Sequence, residues 1–409
     1  MAVTEEVAGW SKTAGSNGNI DSGINAAEGQ TPGSVNNGVR GVMAAIKKWH
    51  DDTGGQITTA GTANAQTLTT NQVIDTLADG LRVHFVAGLT NTGATTLAVD
   101  STGAKAVRKL ILAGSDAALA GYEILTSGHY IVQYDASANG AAGAWVLLNP
   151  NPLPSPGELY GLTLSNNGSD AVNDIDIAAG TAANHSNTVR MVLASAITKR
   201  IDASWAVGTN QGGLDGTESV AGTPDTSTWY HMYLIMRADT GVVDAIFSEN
   251  ASAPTLPTNY THYRLIGSVY NTSGGDIRAF TQYGRRFYWN TLVADVSANT
   301  LGTSAVTRTL SVPTGRVVRA IVQVINGNAA GAGSISYMLI TPLATTDETP
   351  SITLNDTGGT INAAGGSRTI SSEKTVDTNT SAQVRSRASV SSVDVSLTIN
   401  TRGWDDFNL

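Results

Sequence analysis

Two short runs place carboxylates at spacings that could do chemistry. In NDIDIAAG, Asp174 and Asp176 are two positions apart and share a face if the run is a strand. Such a pair could bind Ca²⁺ or act as acid and base on a glycosidic bond. In GGLDGTES, Asp215 and Glu218 sit in a Gly-rich loop with the same two options. Both runs also read, more simply, as solvated carboxylates at a strand edge or turn. His50, His84, His129, His185, His231 and His262 are scattered without metal-ligand spacing. G-x-S-x-G, H-E-x-x-H and Walker patterns are absent from the chain. No cysteine is present, which excludes disulfides and thiolate metal sites. The expectation is a non-enzymatic protein with no metal and no cofactor.

The elements around these runs are mostly strand and turn. Charged residues make up 14% of the 409, against about 25% in a typical soluble protein. Glycine, at 44 residues, is over-represented. Thr and Ser on strand faces with Gly at corners is the balance of a β-rich structural protein. Period-two alternation marks strands at Leu81, Val83 and Phe85, at Tyr130, Val132 and Tyr134, and at Val393, Val395, Leu397 and Ile399. TWYHMYLIMRADTGVVDAIFSE reads as a hairpin about Asp239-Thr240-Gly241, and HYRLIGSVYNTSGGDIRAFTQY as another about Ser273-Gly274-Gly275. A net charge of -9 gives no counterion-release advantage on DNA, so nucleic acid is not an expected partner. No apolar run reaches membrane-spanning length and the N-terminus carries no apolar leader, so neither membrane insertion nor export is expected.

One segment departs from this pattern. TPGSVNNGVRGVMAAIKKWHDDTGG, Thr31 to Gly55, predicts a helix over 34–50 with Ser34 as its cap. Val35, Val39, Val42, Ile46 and Trp49 follow at steps of four, three, four and three, a heptad seam. Gly38 and Gly41 each cost a helix about 1 kcal/mol relative to Ala, so this helix needs a partner along its seam. Two partners are open: a sheet of its own domain, or copies of itself around a symmetry axis.

The spacing and composition divide the chain into an N-terminal segment (1–55), a small β domain (56–149), a Pro-rich linker (150–160) and two further β domains (161–290 and 291–409). Four of the 11 prolines fall within NPNPLPSPGELYG, and Pro-rich chain makes a semi-rigid spacer. The predicted fold is mainly β: a short N-terminal helix, then three small antiparallel domains of sandwich or jelly-roll type, elongated and trimeric.

Two stretches resemble a known family. Asn19-Ile20-Asp21, Ile24 to Gly29, Pro32, Asn36-Asn37, Met43 and Lys47-Lys48-Trp49, followed by GLRVHFVAGLTNTGATTLAVD, resemble the N-terminal region of tail fibre proteins of tailed bacteriophages. LTLSNNGSDAVNDIDIAAGTAAN, with the chain on to DAIFSE, is similar to a domain found downstream in such fibres. Together they cover roughly residues 10–289. The resemblance implies a homotrimeric virion fibre, assembled in the host cytoplasm, docked by its N-terminus on tail or baseplate proteins. Its distal part would touch a polysaccharide or protein receptor on the host surface. Candidate receptor contacts are Asn326 and Asn328 in NGNAAGAGS, Asn355 in LNDTGGTINAAGGS, and the aromatics Trp404 and Phe407, which read more simply as sealing the trimer end or packing on the last sheet. The alternatives are a baseplate or head-decoration protein that meets no receptor and, less favoured for want of any β-helix repeat, a polysaccharide depolymerase.

Overall fold

A computed structural model describes residues 7, 10–18, 21, 22, 24–111, 114–328, 335–358, 368–407 and 409. Strand accounts for 46% and helix for 8%, so the chain is mainly β with one long helix near its N-terminus. It forms two compact units, Met1–Leu153 and Pro154–Leu409, divided inside the Pro-rich stretch. Among the described residues no helix is long and apolar enough to cross a membrane.

The helix, α1, runs Pro32–Thr53. It begins two residues before the expected start because Thr31, not Ser34, is the cap: its side chain accepts from the Ser34 N–H. Pro32 takes the first helical position, where its missing N–H is no loss. The chain leaves through Gly55 at φ +79°, where a Cβ would stand 2.8 Å from the His84 ring.

The first unit holds a nine-stranded sheet. Its order is Ile57–Thr58, Arg82–Val86, His129–Asp135, Ala144–Leu147, Ala104–Leu110, Thr95–Val99, Ala65–Leu68 and Ala60–Thr62, with Asp116–Ala118 beside Ala104–Leu110. Alternation works as expected here: Val83 and Phe85 are buried, as are Tyr130, Val132 and Tyr134, around a fully enclosed Trp145.

The second unit carries sheets of three, seven, five and four strands. Thr228–Arg237 and Val243–Ser248 form the expected hairpin, with Met236 opposite Val243. The second expected hairpin closes only at its turn, where Asn271 bridges Ile277 antiparallel and the Arg278 N–H donates to the Tyr270 carbonyl; the flanking strands then part. Tyr260–Asn271 pairs with Thr228–Arg237, whereas Phe280–Tyr283 pairs with Arg286–Leu301. The expected border at 290 falls inside the 16-residue strand Arg286–Leu301, which pairs along its length with Ser392–Asp405. The linker expected at 150–160 likewise ends in strand, since Leu159–Gly161 pairs with Gly180–Ala183.

Nor are the sheets purely antiparallel. Parallel pairs join Ile57–Thr58 to Arg82–Val86, Ala65–Leu68 to Thr95–Val99, and Ala104–Leu110 to Ala144–Leu147. In the second unit Gln211–Leu214 lies parallel to both Ile197–Ser204 and Val243–Ser248. Parallel neighbours need a crossover; other strands lie within the connection in all of these pairs except Ile197–Ser204 with Gln211–Leu214, which residues 205–210 alone connect.

That seven-stranded sheet buries a charge pair. Lys199 and Asp244 are both enclosed, with Nζ 3.4 Å from Oδ1. The ammonium also donates to the carbonyls of Ala206 (2.7 Å) and Gly208 (3.2 Å). Asp244 accepts from the N–H groups of Gly208 (2.8 Å) and Ala245 (2.7 Å). The pair thereby staples the turn after Ser204 to the sheet. His231, a strand residue as expected, is buried beside Ser268; burial, with Arg316 adding, pushes it down to about 3, so it stays neutral.

Candidate functional site

Helix α1 presents two rows, one of small and polar residues packed within the unit and one apolar and exposed. Ser34, Gly38, Gly41, Ala45, Lys48 and Asp52 are half-buried or buried and recur at steps of four, three, four, three and four. Small residues suit this row because the packing is close: a Cβ on Gly38 would stand 3.2 Å from the Asn25 carbonyl oxygen. Its last member, Asp52, is the anchor. The fully buried carboxylate accepts from the backbone and side-chain N–H groups of Asn71 (both 2.8 Å) and of Gln72 (both 3.0 Å). Asp100 grips the same loop, accepting from the N–H groups of Thr70 (2.8 Å) and Ile74 (2.7 Å).

Because this row fixes the helix, the predicted seam points away from the unit. Val35 is 50% exposed, Val39 54%, Ile46 48% and Trp49 46%. Val42 stands between the rows and is half-buried. Met43, which the heptad spacing passes over, is the most exposed of the stripe at 66%. Isolated apolar side chains on a surface are ordinary, but a stripe running the length of a helix is not. Beside Trp49 a cavity of about 770 Å³ opens between the helix end and the sheet, walled by Ile74, Leu81, Val83 and Ile131.

In the second unit a recess of about 450 Å³ is lined by Trp229, Tyr270, Glu249, Asp295, Thr228 and Ser311, with Thr314 among its other lining residues. The rings of Trp229 and Tyr270 lie 5.2 Å apart. Asp295 accepts from the Ser311 N–H (2.8 Å) and hydroxyl (2.6 Å) and from the Thr401 hydroxyl. Glu249 accepts from the Tyr230 hydroxyl at 2.8 Å. Burial raises its carboxyl above the usual range, and neighbouring Asp225 and Asp215 add to the effect. Glu218, buried behind it, is raised first by burial and then by the charges of Asp215 and Glu249.

One carboxylate of each pair singled out in the sequence does structural work. Asp174 and Asp176 share a strand as expected. Asp176 accepts from Asn167 Nδ2 (2.8 Å) and the Thr198 hydroxyl (2.6 Å), closing strand edges. Asp215 accepts from Thr217 in its own loop and from the N–H of Thr255 in a distant one, tying the two together. Among the described residues no three histidines or carboxylates are grouped so as to hold a metal ion.

The receptor candidates fare unevenly. Trp404 is fully buried, stacked on Phe287 with ring centres 4.9 Å apart, and so is no surface contact. Asn326 and Asn328 are buried too; Asn326 donates to the Ser336 carbonyl and accepts from its hydroxyl. All three lie on strands paired along both edges, and their side chains are buried. Asn355 is half-buried and holds its own turn through the Ser351 carbonyl. Phe407 is half-buried under the Arg319 guanidinium, 5.6 Å from the ring centre. Loop residues 329–334 and 359–367, the side chain of residue 393, and residues 19 and 20 of the resemblance motif lie outside the described residues.

The recess was not anticipated. Trp229, Glu249, Tyr270, Asp295 and Ser311 are spread over more than eighty positions, and only strand pairing gathers them. In comparisons with known proteins, the chain matches no family model and no curated protein.

Proposed function

We propose that this chain is a structural virion protein: a trimeric tail fibre, attached to a phage tail or baseplate by its N-terminal part and adsorbing to the host surface through its β domains. The observation that carries it is the exposed stripe Val35, Val39, Met43, Ile46 and Trp49 on a helix already anchored from behind by Ala45 and Asp52. A helix so fixed cannot turn its stripe inward, and copies of it around a threefold axis would bury the stripe, with Val35, Val39, Ile46 and Trp49 at heptad positions and Met43 beside them. The resemblance of residues 10–289 to tail fibres supports the virion assignment. Three chains per fibre, with several fibres engaged at once, would turn weak surface contacts into firm attachment.

Sedimentation velocity on the purified chain tests the oligomer. A trimer is expected, and a monomer at high protein concentration overturns it. Saturating amounts of the chain should block adsorption of the parent phage. Unchanged adsorption removes the receptor role in favour of a baseplate or head-decoration part. New reducing ends released from host capsule or lipopolysaccharide would overturn the non-enzymatic assignment.

A further inference from the structure

We infer that the recess between Trp229 and Asp295 is a binding subsite for a non-anionic sugar unit, neutral or amino-bearing. This narrows the adsorption role proposed above to a ligand class, and rests on that role for its biological meaning. The chemistry of the walls makes the selection. Half-buried Tyr270, backed by the largely enclosed Trp229 and Leu310, gives the recess an apolar wall that a bare cation cannot use. Glu249 and Asp295 offer acceptors held in place, the first by the Tyr230 hydroxyl and the second by Ser311 and Thr401. Fixed acceptors of this kind suit a ligand that carries several hydroxyl or amine donors. The Thr228 and Ser311 side chains add hydroxyls to the same wall.

The charge balance excludes the acidic sugars. No Lys, Arg or His lines the recess. Arg278 lies over the rings of Tyr270 and Trp289, 5.6 and 5.4 Å from their centres, but is not among the lining residues. A uronate or sialate carboxylate would meet Glu249 and Asp295 without a counter-charge. The volume of about 450 Å³ lies within the range of small-ligand sites and fits a short saccharide, not a folded partner.

The test is saturation-transfer NMR on the full chain with four probes: glucose, N-acetylglucosamine, glucosamine and glucuronate. Transfer to at least one of the first three, and none to glucuronate, is expected. Thr314→Trp fills the mouth of the recess from an exposed position, and Glu249→Gln keeps its shape while removing the charge. Each should weaken sugar binding about tenfold or more, with the thermal unfolding of the chain showing that both variants fold. The inference is overturned if no probe shows transfer at tens of millimolar, if glucuronate binds as well as glucose, or if binding survives Thr314→Trp. If the chain blocks phage adsorption yet binds no sugar, the subsite fails and the adsorption role stands. If sugar binds at the recess but adsorption is not blocked, the subsite stands and the adsorption role fails.

Discussion

Substituting Lys199 by Met should be among the most damaging single changes in the second unit, and the size of the loss follows from its surroundings. The side chain is fully enclosed, so removing the ammonium leaves Asp244 as a buried charge with two backbone donors and no counter-ion. Breaking a buried pair from one side costs about 3–5 kcal/mol. The double variant Lys199→Met, Asp244→Leu removes the stranded charge, and apolar replacement of a buried pair is often close to neutral. Here it also frees the carbonyls of Ala206 and Gly208 and the N–H groups of Gly208 and Ala245. Ala206 is exposed, so water can take its carbonyl. The double variant should therefore retain a loss of about 1–2 kcal/mol. Denaturant unfolding read by tryptophan fluorescence measures both, because Trp205 lies 5.4 Å from Nζ. The linkage also has a definite sign. Burial raises the Asp244 carboxyl above 3.8. A raised folded-state pKa gives a contribution fully present below 3.8 and lost as pH rises through the folded value. Without Lys199 that loss deepens, so Lys199→Met should lie closest to wild type in acid and furthest from it at neutral pH. A single-variant cost below about 1 kcal/mol, or a double variant no better than the single, would refute the reasoning.

Three further outcomes are expected. Val39→Lys with Ile46→Lys removes two half-exposed apolar side chains from each copy of the stripe, about 1 kcal/mol apiece when buried. Over three chains that is about 6 kcal/mol, or four orders of magnitude in trimer association, read as a shift to monomer in sedimentation velocity. Asp52→Ala leaves the donors of Asn71 and Gln72 without their acceptor and should destabilise the first unit by about 2–4 kcal/mol, visible as a lower unfolding midpoint. Glu218→Gln replaces a buried carboxyl raised above 4.5 by an amide. The wild-type contribution is present below 4.5 and fades as pH rises through the folded value, so the variant should gain relative stability from acid to neutral pH in parallel melts.

Helix α1 and its stripe were legible because a heptad of Val, Ile and Trp stands out in a chain otherwise patterned for strands. The opposite row was less visible, since Gly38, Gly41 and Ala45 signal close packing only once a neighbour is known. Alternation located Arg82–Val86 and His129–Asp135, but period two carries no information on strand direction, so the parallel pairs were invisible. The border expected at 290 falls within a strand because local spacing does not show that its partner lies a hundred residues on. For Trp404 the simpler reading, packing on the last sheet, is the one that holds: the strand Ser392–Asp405 runs between Arg286–Leu301 and Arg319–Asn328 and carries it into the core. The recess could not be read at all, because its members come from separate strands and loops and share no local spacing.

The pairing of Arg286–Leu301 with Ser392–Asp405 has a mechanical consequence. Their antiparallel ladder runs from Arg286 opposite Asp405 to Leu301 opposite Ser392, with bulges that break its regularity at three points. A pull that slides one of these strands along the other strains many rungs together, whereas peeling would open them singly. Under such shear this part of the chain should resist extension far better than its modest content of charge and aromatic side chains suggests.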